Sequence, residues 1–232
     1  MKDLFLCMLL LTISIADSAQ TTFKTRQLAF DRVKSAYLAK WGTIRNELKA
    51  QGISNNFNLF LAAYKQEGKL EVWIKSGDKK SYQLFKIYAF SGHSGVIGPK
   101  VKEGDLQTPE GFYHITAYNP ESKFHLSLGI NYPNNTDLLR SGREKPGSEI
   151  YIHGDCVTVG CIPITDDKIR ELYILAVEAR EHGQKEIPVH IYPFKMTAEN
   201  MKIQSEKHPH QKAFWISLKS QHDAFEKSRR LP

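Results

Sequence analysis

Residues 148–165 read SEIYIHGDCVTVGCIPIT, a stretch that changes character partway along its length. In its first seven residues isoleucines alternate with Tyr151 and His153, which predicts a strand with one apolar and one polar face. The remainder contains two cysteines and Gly160, so a tight turn is expected there. A strand that runs directly into a glycine-containing turn is therefore predicted at this point of the chain.

A helix is predicted immediately after this turn. It starts with Thr165 or Asp166 as N-cap and ends at about His182, where Gly183 is the stop signal. Its apolar side chains recur on one stripe, so the helix is expected to pack on the sheet. The stripe consists of Ile169, Leu172, Tyr173, Ala176 and Val177.

Cys161 has the neighbours that a cysteine nucleophile requires. His153 at the end of the strand can remove the thiol proton, and the resulting thiolate–imidazolium pair would lower the thiol pKa. Gly160 permits a positive φ and the close approach of a carbonyl carbon. The amides of Val159, Gly160 and Cys161 are candidate donors to an oxyanion. The carbonyl of Gly154 is available to the second ring nitrogen of His153.

The remaining segments predict the fold class. Short runs rich in β-branched and aromatic residues predict strands, and residues 91–111, rich in Gly and Pro, predict a long ordered loop. The chain is expected to be mainly β with flanking helices: a mostly antiparallel β-sandwich or barrel-like domain with one helix after Cys161. The predicted strands are 58–65, 69–75, 82–90, 112–118, 124–130, 148–154 and 187–194.

Both ends of the chain are predicted to be helical extensions. Residues 22–50 carry apolar side chains at helical spacing, with a break at Trp41-Gly42. The C-terminal tail is basic, and it is expected to dock on the domain because isolated helices are marginal in water. Its anchors are Phe214, Trp215, Leu218 and Phe225. The predicted divisions are a signal peptide 1–19, an N-terminal extension 20–57, a catalytic domain 58–195 and a tail 196–232.

Composition and charge restrict the class of protein. The chain has 232 residues, of which 41% are hydrophobic and 25% charged. This composition supports one good-sized core and excludes a disordered or multi-spanning membrane protein. The net charge of +7 and the pI of about 9.2 favour anionic partners, such as nucleic acid, acidic lipids or cell-wall polymers with carboxylates.

Residues 1–19 have the outline of a signal peptide. Lys2 precedes an apolar run from Leu4 to Ile15 that is too short to span a bilayer, and cleavage could follow Ala16 or Ala19. An uncleaved anchor or a buried helix is the alternative. After cleavage no stable membrane insertion is expected, and a periplasmic or cell-envelope location is predicted.

The arrangement of these motifs resembles the catalytic domain of the L,D-transpeptidases (YkuD type), over about Leu59 to Phe194. HG, VGC and a capped helix follow one another, with TPEG upstream at 108–111. Within that family the chain is most similar to a subgroup with short His–Cys spacing, which includes hydrolases that release lipoproteins from peptidoglycan. The subgroup's further motifs match Gly98-Pro99-Lys100, Glu103-Gly104-Asp105, Gln107, Pro109 to Tyr113, His125-Leu126-Ser127 and Tyr132-Pro133-Asn134.

The resemblance implies specific roles. Cys161 would attack the carbonyl at the L-centre of diaminopimelate in a peptidoglycan stem peptide, with His153 as its activating base. His125, Lys100 and Tyr132 would be substrate-binding residues. Arg143 is a further candidate for substrate binding, because an Arg guanidinium can donate two parallel hydrogen bonds to a free carboxylate. The histidine could instead be a packed side chain, and the basic residues could be a solvated face. The larger family has an Arg where this chain has Pro163.

Several roles are possible for Cys156. In an oxidising compartment it could pair with Cys161, although so small a ring would stabilise little. It could be a reversible redox partner, or a small hydrophobe packed beside the site. A zinc site with His153 would lack a fourth ligand. No metal and no cofactor is expected.

Three classes of function remain to be separated. The leading hypothesis is an exported cysteine acyltransferase of peptidoglycan, and its close alternative is a hydrolase of the same bond class, an L,D-carboxypeptidase or an amidase that releases a lipoprotein. A non-catalytic envelope-binding module is a second class, but it would have no use for Cys161 and His153. Nucleic-acid binding fits the pI but lacks any recognised motif and conflicts with export.

Overall fold

A computed structural model describes residues 21–231 of the protein. The predicted signal peptide, residues 1–19, lies outside the described residues. Within the described part of the chain, no helix has the length and apolar character needed to cross a membrane.

Eight strands form one curled sheet, a half-barrel. They are β1 (Phe57–Tyr64), β2 (Lys69–Ser76), β3 (Gln83–Ala89), β4 (Gly111–Asn119), β5 (Ser127–Ile130), β6 (Tyr151–His153), β7 (Ile162–Pro163) and β8 (Pro188–Tyr192). Their order across the sheet is β3-β2-β1-β8-β4-β5-β6-β7. Neighbours are antiparallel, except that β1 with β8 and β6 with β7 are parallel. The predicted mainly β class with flanking helices is confirmed.

Helices cover both faces of this sheet. They are α1 (Phe23–Leu28), α2 (Asp31–Ala50), α3 (Asn135–Ser141), α4 (Thr165–Glu181), α5 (Ala198–Lys207) and α6 (Lys212–Ser228). β1 shows how two faces are filled, because alternate side chains of a strand point to opposite sides. Leu59 and Leu61 join a core that includes α2 and α4, whereas Phe60 and Tyr64 join a core that includes α6.

The C-terminal tail docks on the sheet as expected. Trp215, Leu218 and Phe225 are buried on the face opposite α4, and Phe214 packs partly buried beside them. The boundaries of the N-terminal extension, catalytic domain and tail remain predictions, because both extensions share their cores with the sheet.

Two local predictions are wrong. The helix break at Trp41-Gly42 is absent, because α2 continues through it and the chain instead bends at 29–30, between α1 and α2. A glycine costs a helix only about 1 kcal/mol, which the buried α2 side chains on either side outweigh. Ile164, rather than Thr165 or Asp166, is the residue before α4.

Helix α3 was not expected from the sequence. It lies in the segment after β5, and its first turn is closed by a capping box. The Asn134 side chain accepts hydrogen bonds from the amides of Thr136 and Asp137, and the Asp137 carboxylate accepts one from the Asn134 amide.

Candidate active site

Cys161 is placed by the pairing of two very short strands. β6 and β7 are parallel neighbours, with Ile152 opposite Ile162, and residues 154–161 form the loop that connects them. Cys161 therefore lies beside Tyr151, whose amide donates a hydrogen bond to Sγ over 3.4 Å. The thiol is also 3.7 Å from the carbonyl oxygen of Glu149, to which it donates.

His153 ends β6 and is held in one orientation. The residue is 1% exposed, and Nδ1 is 2.5 Å from the carbonyl oxygen of Gly154. Because a carbonyl only accepts, Nδ1 carries the proton and Nε2 has the lone pair that a base needs. The ring of Phe124 packs over the imidazole, with centroids 4.7 Å apart.

The electrostatics favour a neutral thiol and a neutral imidazole before substrate binds. Burial raises the pKa of the Cys161 thiol, and the Tyr151 amide opposes that shift. Burial lowers the pKa of His153, and its bond to the Gly154 carbonyl opposes that shift. Both directions oppose the predicted thiolate–imidazolium pair, which stays a prediction. Within residues 21–231 the hydrogen bonds of Sγ go to 149 and 151 and not to the His153 ring.

The turn before Cys161 requires glycine for a steric reason. Gly160 has φ +136°, and a Cβ there would lie 2.8 Å from the carbonyl oxygen of Gln107. The Gly160 amide donates to the Thr158 hydroxyl over 3.1 Å, and that hydroxyl donates to the Cys161 carbonyl over 2.8 Å. The predicted oxyanion donor at Gly160 is therefore already engaged. Among the described residues, the amides of Val159 and Cys161 make no such bond.

Gly154 is needed for a different close approach. A Cβ at this position would lie 2.7 Å from the Phe124 carbonyl oxygen, and the Gly154 amide donates to that same oxygen over 3.0 Å. The Asp166 carboxylate accepts from the Asp155 amide over 2.8 Å, so the start of α4 holds the same turn. The loop that carries the thiol is thus bound on two sides.

Cys161 lies between two cavities. The larger, about 460 Å³, is shared with His153. The smaller, about 140 Å³, is lined by the 91–110 loop, which here means the segment between β3 and β4, and by Lys65. The larger cavity is also lined by Asn119, Glu121, Ser122, Lys123, Phe124, Ser127, Glu149 and Tyr151. The side chain of Cys161 is therefore reached from two sides.

The sequence profile of the L,D-transpeptidase catalytic domain family (YkuD) matches residues 61–191. The Escherichia coli K12 protein YafK, which carries the name of an L,D-transpeptidase, is 37% identical over 176 residues, covering 75% of this chain and 69% of YafK. The chain belongs to the L,D-transpeptidase catalytic domain family. Both the fold and the peptidoglycan-related class of activity expected from the sequence follow from that membership.

Solved structures match this chain at lower identity. The helical cell shape determining protein Pgp2 from Campylobacter jejuni is 23% identical, with a TM-score of 0.46, over 60% of this chain and 49% of that one. L,D-transpeptidase 1 of Mycobacterium tuberculosis is 14% identical, with a TM-score of 0.33, over 58% of this chain and 62% of that one. This chain spans about half the length of the Pgp2 chain.

Of the four predicted substrate-binding residues, none lines either cavity beside Cys161, and three make hydrogen bonds within the protein. His125 precedes β5, instead of lying on a strand, with φ +71°. Its Nε2 accepts from Arg170 of α4 over 2.8 Å. Lys100 is bonded to Asp105 over 2.7 Å, and the Tyr132 hydroxyl donates to the Pro146 carbonyl.

Arg143 is the candidate that remains available to a ligand. It is exposed in the loop that follows α3. That loop is tied to the 91–110 loop, because the Glu103 amide donates to the Lys145 carbonyl over 2.7 Å. Arg143 therefore lies in a loop that is tied to the segment lining the smaller cavity.

Cys156 lies in a different environment from Cys161. Both thiols are free, but Cys156 is exposed, so the predicted packing of Cys156 as a buried hydrophobe is wrong. It lines a separate cavity with His125 and Asp155. The Asp155 side chain raises the pKa of the Cys156 thiol. In the described part of the chain no three His, Cys, Asp or Glu side chains come together as metal ligands.

Sequence reasoning missed several site residues. Tyr151 was assigned only to a strand face, although its amide is the donor to Sγ. Phe124 and Thr158 carried no separate signal, because packing over an imidazole and bridging two backbone groups depend on the folded turn. Asp105 and Glu110 each accept several hydrogen bonds that order the loop.

Proposed function

We propose that the chain is an exported cysteine acyltransferase that acts on peptidoglycan stem peptides at the L-centre of diaminopimelate. The observation that carries this proposal is the arrangement of Cys161 and His153 on one cavity. The Nδ1 atom of His153 is held by the Gly154 carbonyl, which leaves Nε2 as the proton acceptor. Membership of the L,D-transpeptidase family supports the substrate class.

The reaction begins with proton transfer from a neutral thiol to a neutral imidazole. As Sγ of Cys161 attacks the carbonyl carbon, His153 Nε2 removes the thiol proton. The carbonyl oxygen becomes an oxyanion, and the amides of Val159 and Cys161 are the donors available to it. His153 then returns the proton to the leaving amine, and a thioester remains on Cys161.

The second half of the reaction restores the thiol. An acceptor amine attacks the thioester carbon, His153 takes a proton from that amine, and a new amide bond forms as the C–S bond breaks. The sulfur leaves as a thiolate and recovers the proton from His153. The Tyr151 amide assists both halves, because its hydrogen bond to Sγ is stronger when the sulfur is negative. Catalytic hydrogen bonds in enzymes without substrate are often long, which accounts for the separation of Sγ from His153 in the resting state.

The charges around the larger cavity fit the substrate class. Its wall carries two carboxylates, Glu121 and Glu149, and one ammonium group, Lys123. Diaminopimelate has a second amino-acid centre with a free ammonium and a free carboxylate. A wall of mixed charge can bind both groups of that centre, whereas an apolar wall could bind neither.

Hydrolysis of the same thioester is the second candidate. The smaller cavity beside Cys161 has a volume of only about 140 Å³. Sites for drug-sized ligands usually have at least about 300 Å³, so this side of the thiol admits water more readily than a second stem peptide. With water as acceptor, the enzyme would act as an L,D-carboxypeptidase or release a peptidoglycan-linked lipoprotein.

The decisive experiment offers the enzyme both kinds of substrate. Purified protein is incubated with sacculi rich in tetrapeptides and with sacculi that carry a bound lipoprotein, and the muropeptides are identified by mass. New crosslinks would establish transfer, and tripeptides or released lipoprotein would establish hydrolysis. Unchanged muropeptides in both reactions would contradict the proposal and favour a non-catalytic envelope-binding module.

Matched cysteine variants test the nucleophile. Cys161→Ala should abolish turnover without changing the unfolding temperature, whereas Cys156→Ser should leave turnover intact, because Cys156 is exposed in another cavity. Processing of sacculi by Cys161→Ala would disprove the thioester route.

The proposed export rests on the apolar segment 4–15. It is tested with a reporter that is active only outside the cytoplasm, fused after residue 19.

A further inference from the structure

The carboxylate of Glu110 connects three separate parts of the chain. Glu110 immediately precedes β4 and is 1% exposed. Its Oε1 accepts from the Gly98 amide over 2.6 Å and from Lys65 Nζ over 3.0 Å. Its Oε2 accepts from the indole Nε1 of Trp215 over 3.0 Å. Trp215 belongs to the first turn of α6, so a C-terminal helix is bonded directly to the base of the 91–110 loop.

The same network reaches the surface beside the nucleophile. Lys65 Nζ also donates to the carbonyls of Gly98 and Thr108, over 2.7 and 2.8 Å. Thr108 and Lys65 both line the smaller cavity with Cys161. The next residue back, Gln107, presents the carbonyl oxygen that excludes any Cβ at Gly160. The loop whose base is held by Glu110 is therefore in direct contact with the turn that presents the thiol.

Trp215 is itself firmly held. It is 0% exposed, and its ring packs edge-on against Phe194, with centroids 5.1 Å apart, and against His208 at 5.7 Å. A buried hydrogen bond to a carboxylate gains strength from exclusion of water. Its donor therefore has a defined position relative to the loop.

We propose that Trp215 is a positioning residue of the active site, acting through Glu110 on the 91–110 loop. In this view α6 supports the reaction centre as well as the fold. The inference rests on the proposed function for its effect on turnover, but its effect on the thiol does not require that function. The contacts that carry it are the Trp215–Glu110 bond, the Lys65 bonds to Gly98 and Thr108, and the packing of Gln107 on Gly160.

The charge of Lys100, in the same loop, allows the proposal to be tested through the pKa of the Cys161 thiol. Lys100 follows Gly98 in this loop, and its ammonium charge acts to lower the pKa of Cys161. If the base of the loop loosens, Lys100 is less well held relative to Sγ. The thiol pKa should then rise, which changes the pH dependence of the reaction between the thiol and an alkylating agent.

Two substitutions separate the hydrogen bond from the bulk of the ring. Trp215→Phe keeps a large aromatic ring but removes the donor. Trp215→His removes the six-membered ring, but its Nε2–H lies where the indole Nε1–H was. Phe225→Leu is the matched control, because Phe225 also anchors α6, packing on Phe60 and Trp73 instead of the loop. All variants are made in a background that carries Cys7→Ser and Cys156→Ser, so that only the thiol of Cys161 reacts.

Loss of the hydrogen-bond donor and loss of packing are expected to have different effects. In Trp215→Phe the pH midpoint of alkylation by iodoacetamide should rise by about 0.5 unit, and turnover of sacculi should fall about tenfold. In Trp215→His the alkylation midpoint should not move, and turnover should stay within about twofold of the parent. The unfolding temperature of Trp215→His should nevertheless be lower than that of Trp215→Phe. Phe225→Leu should lower the unfolding temperature without moving the alkylation midpoint.

Each failure has its own signature. If the parent does not process sacculi, the proposed function fails, while the alkylation midpoints still decide the role of Trp215. Identical midpoints in Trp215→Phe and the parent would overturn the inference, as would an equal shift in Phe225→Leu. If Trp215→His does not fold, the comparison of Trp215→Phe with Phe225→Leu decides the question alone.

Discussion

Strands β1 and β6 belong to one sheet but differ in nearly every physical respect. β1 has eight residues, and its Phe60 and Leu61 enter separate cores on the two faces. β6 has three residues, and His153 at its end faces a cavity open to solvent. Nearly all of the backbone of β1 is used in pairing with β2 and β8.

The difference shows how the domain separates stability from chemistry. Around β6 the strands are too short to use all of their backbone groups in pairing. The Tyr151 amide, the Glu149 carbonyl and the Gly154 carbonyl instead contact the thiol or the imidazole. Substitutions around β6 should therefore change the rate, and substitutions in β1 and β8 should change the free energy of unfolding.

The largest effect is expected for His153→Ala. Loss of a general base typically costs about 10²–10⁴-fold in rate, and the remaining activity should increase with pH as the thiol ionises without help. His114→Ala is the control, because His114 lies in β4 away from the larger cavity. Turnover and thermal unfolding are measured for both. Turnover by His153→Ala at the parental rate would remove His153 from the mechanism.

The opposite pattern is expected for Leu61→Ala in β1. Leu61 is fully buried, and truncation of a buried Leu costs about 2–5 kcal/mol of unfolding free energy. Turnover per folded molecule should not change. Urea unfolding and active-site titration measure the two quantities, with Leu38→Ala as control because Leu38 is 81% exposed. A loss of turnover per folded molecule would contradict the division between the two regions.

The pH dependence of stability should also come from the β1–β8 region. His190 of β8 is buried between the rings of Phe60 and Phe112, and burial lowers its pKa to about 3. The unfolded chain binds this proton below about pH 6.5, whereas the folded chain does not until about pH 3. The stabilisation is therefore complete above pH 6.5 and is lost as the pH falls, by about 1.4 kcal/mol per unit.

Urea unfolding at pH 7 and pH 5 measures this loss, which should be about 2 kcal/mol. His190→Phe should flatten the dependence, because its ring does not titrate. His222, whose pKa is also lowered by burial, should account for part of what remains. An equal slope in His190→Phe and the parent would place the acid sensitivity elsewhere.

The smallest effect is expected for Cys156→Ser without oxidant. Turnover should stay within about twofold, because the exposed thiol lines a different cavity from Cys161. An oxidant tests the remaining redox hypothesis. If the two thiols pair, oxidation should inactivate the parent reversibly and spare Cys156→Ser. Equal sensitivity of both proteins, measured with free-thiol counts, would exclude the pairing.

Much of the fold could be predicted because its signals are local. The alternating residues of β1 and β2 and the apolar stripe of α4 each lie within one element. The α3 helix also had a local signal in its Asn134 and Asp137 capping box, which was overlooked. The pairing partners had no such signal, since β1 pairs with β8 across more than a hundred residues of sequence.

The candidate site also contains some features that the local sequence predicts and others that depend on distant contacts. Cys161, His153 and the carbonyl of Gly154 lie within nine residues of sequence, and their geometry follows from one strand and one turn. The predicted role of His125 depended on the direction of its ring, which the positive φ and the bond from Arg170 determine. The hydrogen bond between Trp215 and Glu110 joins residues 105 positions apart, and no sequence pattern near either residue predicts it.

The central place of β8 has a consequence for how the domain is made. β8 lies between β1 and β4, yet it is the last strand to be synthesised. Until residues 188–192 are available, β1–β3 and β4–β7 are two separate ribbons, each with an unpaired edge. Neither ribbon can acquire the finished half-barrel alone, so the single sheet forms only when β8 pairs with both β1 and β4.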